Sequence, residues 1–340
     1  YKEKISTYWP EFAANGKGDL IVADLMRHEA GLAAFDTSLP PEDLHTQNIK
    51  KNLVGSVIEA QTSRFPKPPA SHREYHAITR GWVANEIFRR ADPAGRTIGE
   101  FLREDVSGPL EADAMIGVRE EDLTRITPVV PLGFLFTFLE SLKPHFLGRR
   151  IERNIFQLIG RLARIIVGAR RATVGSAPPP FKGMTGLGNF NDPAVVMGET
   201  PSANANCTAR GLAKIAAMLS GGGSWNGRQY LSVKGWDALH GDTVFADMSI
   251  MPSVFSQGGV NEFVDETSKG QKESVLGRAL NDGRQGFFGW MGLGGSIFQW
   301  HPEKQISLAF VPTSLHLLDL VNERGKTYQT EVLRCVDEAK

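Results

Sequence analysis

The feature that most limits the fold is a change of period near Gly286. Upstream, apolar residues recur at helical spacing. Downstream they alternate: Phe287-Phe288-Gly289-Trp290, then Ser296-Ile297-Phe298-Gln299-Trp300, then Ile306-Ser307-Leu308-Ala309-Phe310-Val311. Successive side chains of a strand point to opposite faces, so this alternation reads as antiparallel strands. The turn His301-Pro302-Glu303-Lys304 joins the last two. Helices in the middle followed by a late run of strands predict an α+β fold, an antiparallel sheet flanked by helices.

The helices upstream are marked by caps and stops. Ile21, Leu25 and Met26 have helical spacing, with Gly31 as the stop. A second helix is expected from Pro41 to Leu44, and residues 46–60 are ambiguous. The loop Phe65-Pro66-Lys67-Pro68-Pro69 precedes a helix over 80–91. Thr97-Ile98-Gly99-Glu100 is a capping box. A short strand is expected at Ala114-Met115-Ile116-Gly117. Helices follow at 208–220, stopped by Gly221-Gly222-Gly223, and from Tyr230 to Leu239. Residues 5–18 read as loop and 240–285 as irregular with strand-like pieces. A C-terminal helix is expected over 326–337.

Residues 128–171 differ in composition. Leu132, Phe134, Leu135, Phe136, Phe138 and Leu139 open the segment, and apolar residues from Ile151 to Ile166 continue at helical spacing. Arg149, Arg150, Arg153, Arg161, Arg164, Arg170 and Arg171 are interleaved against one acid, Glu152. Such a pattern fits a helical insertion packed on its own domain, or peripheral membrane contact through residues 132–171. Glu140, Lys143 and Pro144 interrupt the run, so it does not read as a bilayer span.

Lysine plus arginine equals aspartate plus glutamate at 38 each, so no charge bias points to nucleic acid. Cys207 and Cys335 alone make neither a disulfide framework nor a cysteine-rich metal site. His28-Glu29 opens like a metalloprotease motif, but Leu32 stands where the second histidine belongs; no metal is expected. There is no Walker A loop and no complete G-x-G-x-x-G, and no cofactor is expected. A G-x-S-x-G nucleophile elbow is also missing. Compartment and oligomeric state are not readable.

Tyr75 sits at a loop-to-helix junction, in Glu74-Tyr75-His76-Ala77-Ile78-Thr79-Arg80-Gly81-Trp82. There a phenol can be aimed and its ring held. A catalytic phenol needs that, because an untuned one has a pKa near 10. His76 is a candidate modulator of it. His28 reads as structural, Ser202 as a helix-start residue, and Trp290 and Trp300 as core.

Six segments in order resemble the serine β-lactamase-like family, which includes class C β-lactamases, D-alanyl-D-alanine carboxypeptidases, family VIII esterases and LACTB-like proteins. Leu25-Met26-Arg27-His28-Glu29-Ala30-Gly31-Leu32 resembles its L-L-x-H-x-S-G-L segment, and Tyr75-His76-Ala77 its Y-x-N or Y-x-A motif. The helix from Gly81 to Ile87 resembles the one that follows that motif. Gly108-Pro109-Leu110, Pro201-Ser202-Ala203-Asn204 with Ala209-Arg210-Gly211-Leu212-Ala213, and Gly292-Leu293-Gly294-Gly295-Ser296 match further motifs. The resemblance implies a β-lactamase/transpeptidase-like sheet with a helical domain. It also implies an acyl-enzyme mechanism in which a serine attacks an ester, amide or lactam carbonyl. Tyr75 would share the proton transfers, and Gly294, Gly295 and Ser296 would form the oxyanion and substrate-binding wall. The expected partner is a small-molecule or peptide ester or amide.

Departures are as informative. No lysine in the chain has Ser or Thr three residues before it, so the family's S-x-x-K is not in this sequence. The expectation is a fragment of an esterase- or peptidase-type serine hydrolase, with nucleophile and N-terminal strands upstream and a partly uncovered sheet face. The alternative is an inactive scaffold or membrane-associated binding protein. The family's cation on the last active-site strand falls at Gly292 or Leu293, depending on register, and Ala77 stands where many members carry Asn. The expected division is a helical region at 1–127 carrying Tyr75, an amphipathic insertion at 128–175, and a C-terminal part at 176–340 with the last strands.

Overall fold

The computed structural model describes residues 1–64, 73–151, 153–171, 177–248 and 251–339. The proline loop at 65–69, Glu152 and the end of the insertion at 172–175 lie outside the described residues. Six strands form one antiparallel sheet: β1 (Val244–Met248), β2 (Met251–Phe255), β3 (Asn261–Glu262), β4 (Phe288–Met291), β5 (Ile297–His301) and β6 (Ile306–Phe310). They lie side by side in chain order. In β5, Phe298 is opposite Trp290 on one side and Ala309 on the other.

The alternating runs became β4, β5 and β6. The other half of the sheet comes from the stretch read as irregular. β2 is buried at four consecutive positions, Pro252 to Phe255, so it carries no alternation to read. Pro252, opposite Asp247 beside the hairpin, further disguises it.

Among the described residues, the helices around the sheet include α1 (Val22–Met26), α2 (Leu53–Ala60), α3 (Thr79–Ala91), α4 (Phe134–Leu142), α5 (Ile155–Arg171), α6 (Ala209–Ser220), α7 (Val233–His240), α8 (Val275–Asn281) and α9 (Glu323–Glu338), with four further ones at Ile5–Tyr8, Thr46–Lys50, Ile98–Phe101 and Pro193–Met197. Thr208 starts α6 by accepting the Gly211 N–H at 3.0 Å, and Ser232 starts α7 in the same way. On one face of the sheet, Ala216, Met218 and Leu219 of α6 belong to a core with Trp300, Phe288 and Phe298. On the other, Leu280 of α8 and Leu333 and Val336 of α9 pack with Phe287, Met291 and Ile306. Both faces thus carry the chain's own helices, while Ser307 to Phe310 of the edge strand β6 stay partly exposed.

Residues 5–18, expected as loop, contain a turn of helix at Ile5–Tyr8 and a 3-10 turn at Pro10–Ala13. Ile5, Trp9 and Phe12 enter the same core as Leu25, Ile58, Trp82, Val83 and Ile87. The ambiguous stretch 46–60 is helical, in Thr46–Lys50 and α2.

Between these helices lies a buried carboxylate. Glu199 accepts hydrogen bonds from Thr46 Oγ1 and Thr97 Oγ1, both at 2.7 Å, from Asn85 Nδ2 at 2.9 Å and from the Gly99 N–H at 3.0 Å. Four neutral donors replace the water it lost, and no ion pair with it occurs among the described residues.

Candidate active site

The site is built around a left-handed residue. α1 ends at Met26, and His28 adopts φ +67°, before the Gly31 stop read from sequence. Histidine tolerates that region better than most side chains, at some strain. The strain is offset by what His28 then holds. Its carbonyl accepts the Glu74 N–H at 3.1 Å, and its Nδ1 accepts the His76 N–H at 3.0 Å. The backbone is thus clamped on both sides of Tyr75, and the His28 ring lies 5.0 Å from the Tyr75 ring.

Neighbouring groups secure the clamp. Arg73 forms a parallel bridge to Met248 at the sheet edge. Its guanidinium bonds Ser253 Oγ at 2.9 Å and Glu29 Oε1 at 2.6 Å. Burial raises the Glu29 carboxyl and lowers Arg73, each opposed by the charge of the other. On the far side, Ser202 Oγ donates to Ile78 O at 2.8 Å and the Trp82 indole to Thr200 Oγ1 at 3.0 Å. Ser202 therefore fixes the start of α3 and caps no helix. A Cβ on Gly81 would stand 2.5 Å from the Ser202 nitrogen, which explains glycine there.

Tyr75 itself is 37% exposed, while His28 and His76 are buried. Its ring faces Trp290 of β4 at 6.5 Å, and Trp290 packs on Phe255 of β2 at 5.0 Å. Arg80, the second residue of α3, donates to Met26 O at 3.1 Å and Gly259 O at 3.3 Å. Burial lowers its pKa and the charge of Tyr75 raises it, so a fixed cation lies within electrostatic reach of the tyrosine. Burial, then the charges of Arg80, His76 and Arg73, drive His28 well below the ordinary histidine value. Burial takes His76 down to about 4. Both rings are neutral near pH 7.

His76, the candidate modulator, turns away from Tyr75. Its Nε2 accepts the Leu32 N–H at 2.9 Å, and its Nδ1 donates to Glu74 O at 2.5 Å. The histidine in contact with the tyrosine is His28, which sequence reading had given only a structural part. Trp290, read as core, is half-buried against Tyr75, whereas Trp300 is core, its indole donating to His240 Nε2 at 2.9 Å. Arg80 was missed.

Gly294, Gly295 and Ser296 form the turn between β4 and β5. The Gly292 N–H donates to Ser296 O at 2.9 Å and the Gly295 N–H to Gly292 O at 3.2 Å. Arg324 Nη2 holds Gly294 O at 2.6 Å and Ser314 O at 2.9 Å, with the His316 N–H also on Gly294 O at 2.9 Å. Leu293 is exposed at the tip. Neither Gly292 nor Leu293 brings a cation to this strand end, and the side chain opposite Tyr75 is Trp290. Tyr75 and the turn are linked through β4 and share no direct hydrogen bond among the described residues. A cavity of about 230 Å³ lies behind the turn, lined by Arg150, Arg153, His316, Asp319 and Arg324 among others. Tyr75 does not line it, so the volume belongs to the contact between insertion and α9. Among the described residues no group of three or more His, Cys, Asp or Glu side chains is placed to hold a metal.

A Beta-lactamase family profile matches residues 1–328. The chain belongs to the Beta-lactamase family. The curated relative esterase/beta-lactamase LipL of Mycobacterium tuberculosis is 26% identical over 321 residues, covering 93% of this chain. The match takes in 63% of LipL, so the chain spans less than two thirds of that relative's length. Among solved structures, a penicillin-binding protein homolog from Caulobacter crescentus aligns with TM-score 0.67 at 23% identity, over 99% of this chain and 76% of that one. A family VIII carboxylesterase aligns with TM-score 0.66 at 22% identity, over 98% and 76%. EstA from Arthrobacter nitroguajacolicus Rue61a also gives 0.66, at 17% identity over 98% and 78%. These likenesses, all below 25% identity, show the fold: an α+β arrangement of antiparallel sheet and helices.

Proposed function

We propose that this chain is the larger part of a serine hydrolase of esterase or peptidase type, working through an acyl-enzyme on a small ester, amide or peptide. Tyr75 is its proton-transfer residue. The observation that carries the reading is the setting of Tyr75: an accessible phenol, clamped at both backbone neighbours by His28, faced by Trp290 and within reach of the Arg80 charge. Preorganised geometry and a fixed charge are what a proton-transfer group needs. The esterase named for the curated relative supports the same substrate class.

In this reading the attacking serine and its lysine come from sequence outside these 340 residues, since no S-x-x-K occurs within them. The serine hydroxyl adds to the substrate carbonyl while its proton passes towards Tyr75. Collapse expels the alcohol or amine, which takes the proton back; water then adds to the acyl-enzyme while its proton passes towards Tyr75, and a second collapse frees the acid and returns that proton to the serine oxygen. Gly294, Gly295 and Ser296 are the candidate oxyanion wall. Presenting the Gly295 N–H to a carbonyl oxygen requires giving up its bond to Gly292 O. Arg324 steadies that wall through Gly294 O. The parts 1–127, 128–175 and 176–340 are read as Tyr-bearing helical region, insertion and sheet-bearing region.

The missing S-x-x-K favours one second reading, an inactive family member that binds without turnover. The two are separated by hydrolysis of p-nitrophenyl acyl esters and of nitrocefin by the full-length protein. Turnover of either probe supports the enzyme; inactivity towards both, in a folded protein lacking S-x-x-K, supports the binder.

A further inference from the structure

The helices α4 and α5 are inside out. On α4, Glu140 and Ser141 are buried while Phe134, Leu135, Phe138, Leu139 and Leu142 face outward, Phe134 at 83% exposure. Glu140 turns inward because it pairs with Lys143 and Arg150. On α5, Arg161 is buried, donating to Leu318 O at 2.8 Å and to Glu323 at 3.0 Å. Phe156, Ile159, Leu162 and Ile166 lie outside, Phe156 at 81% exposure. Phe146, on the connection between the two helices, is 84% exposed. α4 and α5 pack on each other. An amphipathic helix ordinarily buries its apolar stripe. Here Glu140, Ser141 and Arg161, with Leu158, face the protein, and most of the apolar residues are presented outward, which marks an interaction surface.

Charge identifies what covers it. The hairpin, residues 134–171, holds eight basic side chains, Lys143 and seven arginines, against Glu140 and Glu152, an excess of six. The whole chain is neutral, so the remainder carries an opposite excess of six. Two copies docking these faces would bring two like excesses together, which Coulomb repulsion opposes. An anionic bilayer satisfies both features: its acyl boundary takes the phenylalanines and its headgroups attract the basic segment. No helix of the described residues is long and apolar enough to cross a membrane. With Arg161 bound on the protein side, α5 lies along the surface.

We infer that the α4–α5 hairpin docks this protein on an anionic lipid surface through Phe134, Phe138, Phe146, Phe156 and Ile159. The inference does not depend on the hydrolase reading. It is tested by co-sedimentation of the 340-residue chain with phosphatidylcholine vesicles, with and without phosphatidylserine, alongside sedimentation velocity in solution. The chain pellets with phosphatidylserine vesicles, binding falls as salt rises, and Phe146→Ser/Phe156→Ser weakens it on the order of tenfold or more. Both positions are exposed, so the variant's fold is checked by an unchanged melting curve. No binding at low salt, equal binding to both vesicles, or no effect of the double variant overturns the proposal. So does a dimer that the double variant breaks without any lipid binding.

Discussion

At His28 the chain accepts a left-handed conformation that costs about 1 kcal/mol or more, and in exchange one residue holds the backbone before and after Tyr75. The sequence showed Tyr75 as a candidate and His76 as its neighbour. It did not show that the contact comes from His28, 47 positions away, because a hydrogen bond to a backbone N–H leaves no periodic trace. The buried histidines also make stability depend on pH. His76 is depressed to about 4, against 6.5 in an unfolded chain. Between those values the unfolded state binds the extra proton, so stability is present above 6.5 and is lost as pH falls towards 4. From pH 7 to 5 His76 alone is expected to remove about 2 kcal/mol. Urea unfolding at the two pH values measures this, with His76→Gln reducing the difference; an equal difference in the variant would contradict the assignment.

The element that carries Tyr75, α3, is set by its neighbours more than by its own propensity. Its start lacks a side-chain cap. Ser202 and Thr200 hold it instead, from a segment more than a hundred residues further on. This explains why Pro201-Ser202-Ala203-Asn204 could be matched to a motif while Ser202 was read only as a helix-start residue: its partners are distant in sequence. Gly81→Ala pushes a Cβ into the Ser202 backbone and is expected to cost about 1–3 kcal/mol. Thermal unfolding reads the loss, and an unchanged melting temperature would show that the two segments move apart freely. The strands repeat the lesson. β4 was legible because its half-buried and buried positions alternate, whereas β2 is buried along most of its length and looked irregular. The Thr97 capping box was legible for the opposite reason, since the two bonds with Glu100 that define it are local.

Across the whole molecule, Arg73 joins the sheet edge to the helical region that holds Tyr75, bonding Ser253 on β2 and Glu29 beyond α1. Arg73→Met leaves the Glu29 carboxylate buried without its cation, at an expected cost of about 3–5 kcal/mol. Adding Glu29→Gln is expected to recover part of it; equal loss in single and double variants would contradict a coupled pair. Fold class and motif order were legible over most of the chain, because a sheet and its covering helices are written in local patterns. The inside-out helices were not, since the apolar stripe of 134–166 reads the same whichever way it faces. Its direction is set by Glu140 and Arg161, whose partners are specific ion pairs.

The central claim rests on Tyr75, and one comparison reaches it directly: p-nitrophenyl ester hydrolysis by the full-length protein and its Tyr75→Phe variant. The substitution removes one oxygen from an accessible ring and leaves the His28 and Trp290 contacts in place. The expected result is a loss in kcat of roughly 10²–10⁴-fold with an unchanged melting temperature. Full turnover by Tyr75→Phe would contradict it.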